Sequence, residues 1–321
     1  MKEQSQASIQ VERIRAIGLT VSDVDRSQDF YTKALGFESV SDVMLEGENY
    51  SDLTGVTGAK IRIVTLQLGD ELITLMQYLN VNGKPIPEDS QSNDLWFQHL
   101  AIAVTDFDRA HEHLIAFAIE PISTQPQTIP SSNPTAAGIR AFKFKDPDGH
   151  SLELIWFPPD KGQAKWHRQT NQLFLGIDHS AIAVADTEQS LHFYCDLLGM
   201  QVKEGSLNQG ETQARLDGLA EAKVRVTPLR TIQSDVGIEL LDYLIPESDR
   251  PIPNDWKSCD LAHVQVELVV NNIEQAVQEL QRNGVPFVSS RLVQFSDGIS
   301  PHRQSCIVKD PSGHAMLLTT A

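Results

Sequence analysis

Cysteine is scarce in this chain: Cys195, Cys259 and Cys306 are the only three in 321 residues. Odd in number and scattered, they exclude a disulfide framework or a cysteine-based zinc site, and each reads as a plain buried or partly buried thiol. No apolar run approaches the roughly 20 residues needed to span a bilayer, so no membrane partner is expected. The first ten residues, MKEQSQASIQ, are polar and lack the hydrophobic stretch and small-residue cleavage site of a secretion signal; a cytoplasmic location is the expectation. Basic residues are few as well, 26 Lys and Arg against 43 Asp and Glu, a net charge of −17. The acids are spread along the whole chain, which repels polyanions, excludes nucleic acid as a partner and serves solubility. Nothing in the sequence matches a phosphate-cradling loop, a nucleophile elbow or a dinucleotide fingerprint.

What the chain does contain is repetition. FYTKALGF at 30–37 returns as FYCDLLGM at 193–200, an offset of 163, and KDPDGH at 145–150 returns as KDPSGH at 309–314. Pro85-Ile86-Pro87 likewise matches Pro251-Ile252-Pro253. The two halves are therefore duplicates. Each half divides again, because four segments share one outline: AIGLTVSD, HLAIAVTD, HSAIAVAD and QVELVVNN, starting at Ala16, His99, His179 and Gln265. Each is a strand-like run leading into a polar turn and an amphipathic helix, followed by short alternating runs that read as strands. The organisation expected is α+β, four βαβββ modules. Residues 1–165 carry modules one and two (about 12–82 and 94–160), and residues 166–321 carry modules three and four (about 174–246 and 258–320).

With these motifs in register, the FY…LGF helix and the DPDGH…E turn and strand, the chain resembles the vicinal oxygen chelate superfamily of glyoxalases, extradiol dioxygenases and bleomycin-resistance proteins. The resemblance covers residues 12–320. It implies that modules pair into two eight-stranded open cups, with metal ligands on the first and last strand of each module. Carried over residue by residue, those positions are Ala16 and Thr74, His99 and Glu153, His179 and Glu239, and Gln265 and Leu317. Modules two and three are complete, while one and four are degenerate. The metal set implied is His99, Glu153, His179 and Glu239.

Strand periodicity supports the assignment independently. In HLAIAV and HSAIAV each histidine shares a face with two alanines, and the bulky residues point the other way. Glu153 and Glu239 are carboxylates inside apolar strands, where an unpaired charge costs several kcal/mol. Two neutral imidazoles and two carboxylates balance a 2+ ion. A set of ligands kept together favours cups made of modules 2+3, holding the metal, and 1+4; pairing 1+2 with 3+4 is the alternative, and a homodimer could also reunite the quartet across an interface.

Four ligands in an octahedral shell leave two positions for adjacent substrate oxygens, which suits a metal-stabilised enediolate. The resemblance implies a glyoxalase I-like lyase or isomerase acting on a small oxygenated substrate such as a 2-oxoaldehyde thiol adduct. Its cofactor would be one divalent ion (Ni, Zn, Co, Mn or Fe), with glutathione as co-substrate, and Glu153 or Glu239 would be the base. The alternatives are an extradiol dioxygenase, which uses two His and one carboxylate on Fe(II), and a non-catalytic small-molecule binding or resistance protein. His150 and His314 read as turn or surface residues. Trp96 and Phe97 read as core or cup mouth, and Arg140 and Lys143 as a solvated strand edge or an anion contact.

Overall fold

The computed structural model describes residues 9–233, 236–248, 250–295 and 302–320; the first eight residues of the polar N-terminal stretch lie outside these. Module one runs β1 (Val11–Thr20), α1 (Val24–Leu35), β2 (Glu38–Glu46), α2 (Glu48–Thr54), β3 (Lys60–Leu68) and β4 (Glu71–Tyr78). Module two runs β5 (Phe97–Val104), α3 (Phe107–Ile115), β6 (Glu120–Pro121), β7 (Gln127–Thr128), β8 (Arg140–Lys145) and β9 (Ser151–Trp156). Module three has β10 (Phe174–Ala183), then α4 (Thr187–Leu191), which continues as a π-helical turn over His192–Leu197. It goes on through β11 (Gln201–Val202), β12 (Ser206–Gln209), α5 (Glu211–Asp217), β13 (Lys223–Arg230) and β14 (Gly237–Ile245). Module four is β15 (Val264–Val270), α6 (Ile273–Arg282), β16 (Val293–Gln294), β17 (Gln304–Lys309) and β18 (Ala315–Thr319).

The last letter of each repeated strand motif is a helix cap. Asp23, Asp106, Asp186 and Asn272 are extended, and each accepts a backbone N–H of the first turn of α1, α3, α4 and α6. A side-chain acceptor there satisfies a donor that the helix leaves orphaned. Gly36 ends α1 in the left-handed conformation, φ 73°, which explains the Gly of the FY…LGF motif.

Two sheets result. In one, β5 and β10 lie antiparallel at the centre, flanked in parallel by β9 and β14, with the order β11-β13-β14-β10-β5-β9-β8-β6. In the other, β1 and β15 take the centre and β4 and β18 flank them, with the order β16-β17-β18-β15-β1-β4-β3-β2. Modules two and three thus share one sheet, and modules one and four the other. The first sheet counts ten strands because both of its edges are split, β11 and β12 along β13 and β6 and β7 along β8. The fold is α+β, a two-cup glyoxalase-like arrangement.

The bulky faces of both sheets and helices α1, α3 and α6 meet in one core, where Leu100, Ile102, Ile177 and Ile182 pack with Leu19, Tyr31, Val266 and Leu280. Two buried phenols lock the halves of each repeat together. Tyr31 donates to Asp146 and Tyr194 to Asp310, both at 3.0 Å, so the FY motif of one module holds the DPxG turn of the next. In the same turns His150 and His314 are buried rather than on the surface. Their Nε2 atoms lie 2.8 Å from the carbonyls of Leu261 and Ala183, which draws both rings inward across module boundaries.

Candidate metal centre

Register decides which side chains meet in the first cup. On β5 and β10, Ala101 lies opposite His179 and Ala181 opposite His99. Glu153 then lies beside Ala101 and Glu239 beside Ala181. The four side chains therefore converge from two pseudo-symmetric strand pairs over a floor of alanine methyls, the small face that leaves room above it. Nε2 of His99 is 3.0 Å from Nε2 of His179. Glu153 Oε2 is 3.3 Å from the first and 4.0 Å from the second, and Glu239 Oε2 is 3.5 Å from His179 Nε2. His99, Glu153 and His179 offer ligand atoms all within 4.8 Å of one another, and among the described residues they are the one such group of His, Cys, Asp or Glu. Glu239 stands at its open side, its side chain 18% exposed against 6% for Glu153.

Which nitrogen of each ring faces the cup is settled by what lies behind it. Gln98 Oε1 accepts from Lys143 Nζ, an obligate donor, and also meets His99 Nδ1, so that nitrogen carries the proton. Asp178 Oδ2 lies 2.9 Å from His179 Nδ1 and does the same for that ring. Asp178 is held in turn by Trp166 Nε1 at 2.6 Å and Gln163 Nε2 at 3.2 Å. Both Nε2 atoms therefore face the cup, 3.0 Å from each other. Two neutral rings so arranged would repel, so the pair calls for positive charge, either a proton held on one Nε2 or a cation shared by both. Donor atoms at right angles around an ion with bonds of about 2.1 Å lie about 3.0 Å apart, and at tetrahedral angles about 3.4 Å apart. The 3.0, 3.3 and 3.5 Å separations fit a shared divalent ion, and the 4.0 Å between Glu153 and His179 requires a wider angle.

The surrounding carboxylates favour positive charge at this point. Burial holds His99 down to about 4, ahead of the opposing pull of Glu153, so its ring is neutral at pH 7. Burial acts to raise Glu153, yet His99, Lys143 and His179 outweigh it and hold the carboxyl at about 2. Burial opposes charge on His179, but Glu239, Asp178 and Glu153 prevail and raise it. Glu239 is raised, by burial first, with Asp178 and Glu153 adding to it.

Lys143 is not a solvated edge residue. It is buried opposite Glu153 and ion-paired at 2.6 Å to Asp217 of α5, the short helix that crosses over the cup. Gln213 Nε2 at 2.7 Å and Tyr243 Oη at 3.1 Å also donate to Asp217. Arg140 faces away from the cup and makes two bonds to Asp108 of α3, at 2.9 and 2.7 Å. Trp96 is buried against Trp256, outside the histidine cavity. Gln98 and Asp178 carry no motif of their own because each acts through the histidine that follows it, and nothing in the sequence joins Lys143 to Asp217, 74 positions on. For Gln98 and Asp178 the signal was adjacency to the two histidines.

At the corresponding positions the second cup does not repeat the His and Glu quartet. Leu317 packs with Leu53, Ile307 and Val293. Thr74 Oγ1 and Gln265 crowd the side of Gly18, 3.0 Å from where a Cβ would stand, and Gln265 pairs with His263 at 3.2 Å.

Comparison with known proteins agrees with this architecture. The Glyoxalase/Bleomycin resistance protein/Dioxygenase superfamily matches residues 13–154 and 176–318. A 2-epi-5-epi-valiolone epimerase from an Actinomyces species is 31% identical over 150 residues, 45% of this chain and 79% of that protein. The crystal structure of glyoxalase I from Zea mays superposes with a TM-score of 0.61, covering 96% of this chain and 92% of the other, at 16% identity; at that identity it shows the fold alone. With both repeats matched across most of its length, the chain belongs to the Glyoxalase/Bleomycin resistance protein/Dioxygenase superfamily.

Proposed function

We propose that this chain is a metal-dependent enzyme that moves a proton at carbon next to a carbonyl in a small oxygenated substrate, by glyoxalase-type isomerisation or by epimerisation. The observation that carries the reading is the convergence of His99 Nε2, His179 Nε2 and Glu153 Oε2, with the two nitrogens 3.0 Å apart. These three side chains and Glu239 would hold the ion. When bound, a divalent cation supplies a Lewis acid that draws charge from a carbonyl oxygen and so acidifies the neighbouring C–H. Glu239 is the base. It stands apart from the tight trio, its carboxyl is kept basic by burial, and it faces the open side of the cup. Asp178 and Gln98 keep the imidazoles aimed, and α5 covers the cup and limits water.

A glyoxalase-type reaction returns the proton to the adjacent carbon, whereas an epimerase returns it to the opposite face of the same carbon. The epimerase relative supports the second outcome, and a 2-oxoaldehyde thiol adduct such as that of glutathione is the substrate class for the first. The trio without Glu239 is also the two-His, one-carboxylate set of oxygen-activating Fe(II) enzymes, which favours ring cleavage as the rival reading. Purified protein is expected to hold about one divalent ion per chain, and His99→Ala and His179→Ala each to lose most of it by elemental analysis. Incubation in D2O with methylglyoxal–thiol adducts and with keto-cyclitols should then show deuterium entering alpha to the carbonyl by NMR, and Glu239→Gln should stop it while His99, Glu153 and His179 still retain most of the metal. Full metal occupancy in both His variants, or oxygen uptake with catechols in place of exchange, would reject the proposal.

A further inference from the structure

Outside the histidine cup, a cavity of about 240 Å3 opens beside the outer turns of module four. Its walls include Trp96, Trp256 and Phe287, and it also carries Lys309, Lys257 and His263. None of its lining residues is Asp or Glu, although the chain holds 43 acids and a net charge of −17. Trp96 and Trp256 lie against each other with ring centroids 5.2 Å apart.

The internal repeat shows what is unusual here. In module two the position of Lys309 is taken by Lys145, which ends β8 as Lys309 ends β17 and pairs with Glu120 on the adjoining strand at 2.6 Å. In module four the residue facing Lys309 is Pro286, whose carbonyl accepts the Lys309 backbone N–H. The carboxylate is thus replaced by a residue with no charge. Lys309, half-buried, has no ion-pair partner among the described residues. Burial holds His263 down to about 4, with the Lys309 charge helping and Gln265 and Asp260 opposing, so that ring adds polarity and no charge beside the two lysines. Trp96 already carries Arg250 over its ring, 5.0 Å from the centroid, so Trp256 and Phe287 supply the freer apolar wall. A half-buried ammonium with no counter-ion among the described residues, in a cavity so walled, calls for a carboxylate on a flat apolar body. The volume lies below the about 300–1,000 Å3 of sites for drug-sized ligands, so the body is one or two rings.

We propose that the cavity between Trp96, Trp256 and Lys309 binds a small aromatic carboxylate, with Lys309 as its counter-ion in the place that Glu120 occupies against Lys145. The site is separate from the metal centre, since none of His99, Glu153, His179 and Glu239 lines it.

The probe is 2-naphthoate, followed by tryptophan quenching and by saturation-transfer NMR, with circular dichroism as a check on folding. Saturable binding to the wild type is expected at millimolar concentration or below. Lys309→Met should weaken it by about tenfold or more, with little change for the neutral 2-naphthamide. Pro286→Glu, which restores the carboxylate of module two and leaves the cavity walls intact, should do the same. His99→Ala should leave binding unchanged. Naphthoate affinity within about twofold of wild type in both the Met and Glu variants, absence of saturable binding, or loss of binding in His99→Ala would each overturn the proposal.

Discussion

Replacing Lys143 by Met keeps an apolar stem of similar length and removes the ammonium that meets Asp217 at 2.6 Å. The two side chains are 2% and 0% exposed. While both charges are present, their attraction offsets the cost of taking them out of water. With one gone, the carboxylate remains buried and uncompensated, at a cost of about 3–5 kcal/mol. Gln213 and Tyr243 still donate to Asp217, and hydrogen bonds to a charged group are each worth about 1.5–3 kcal/mol, so the expected loss is at the lower end, about 3 kcal/mol. That is a large share of the roughly 5–15 kcal/mol that holds a natural domain together. Adding Asp217→Asn removes the second charge and should recover most of the loss. Urea unfolding of wild type, both single variants and the double variant, followed by fluorescence and circular dichroism, gives the coupling energy directly. A loss below about 1 kcal/mol for Lys143→Met, the range of exposed pairs, or a double variant no more stable than Lys143→Met, would refute the reasoning.

Asp178→Asn should weaken divalent-ion affinity by about 10–100-fold, read by chelator competition, because the amide fixes the His179 ring less firmly and donates less electron density to it. Glu267 is buried in the second cup with Arg15 at 3.3 Å, and burial raises its carboxyl from 4.5 to about 7. A folded-state value above the unfolded one means that its stability contribution is present in full below about pH 4.5 and is lost as pH rises through about 7. Glu267→Gln should therefore gain on wild type by about 1.4 kcal/mol per pH unit across that window, and parallel stability–pH curves for the two proteins would contradict it.

Much of the fold was legible because its recurring letters have jobs that are local. The Asp or Asn closing each strand motif caps a helix, and the alternation of Ala101 and Ala103 with Leu100 and Ile102 separates cup face from core face. The buried Tyr31–Asp146 and Tyr194–Asp310 pairs show why the FY and DPxG motifs recur together, although neither contact could be read from spacing. What stayed hidden depends on partners distant in the chain. Lys143 looked like an edge cation because Asp217 is 74 positions away, on a helix of seven residues too short to show periodicity. Arg140 sits on the same strand three residues earlier, and alternation sends it the other way, to Asp108. His150 and His314 looked exposed because turns usually are; their acceptors belong to other modules.

The two imidazoles stand in nearly the same setting, but one leans on the neutral amide of Gln98 and the other on the carboxylate of Asp178. In an assembly of identical copies every substitution is written on both sides, and the two supports would have to be alike. Joining the modules in one chain frees each side to change alone. The centre thereby acquires a left and a right, one imidazole backed by a neutral group and the other by a charge.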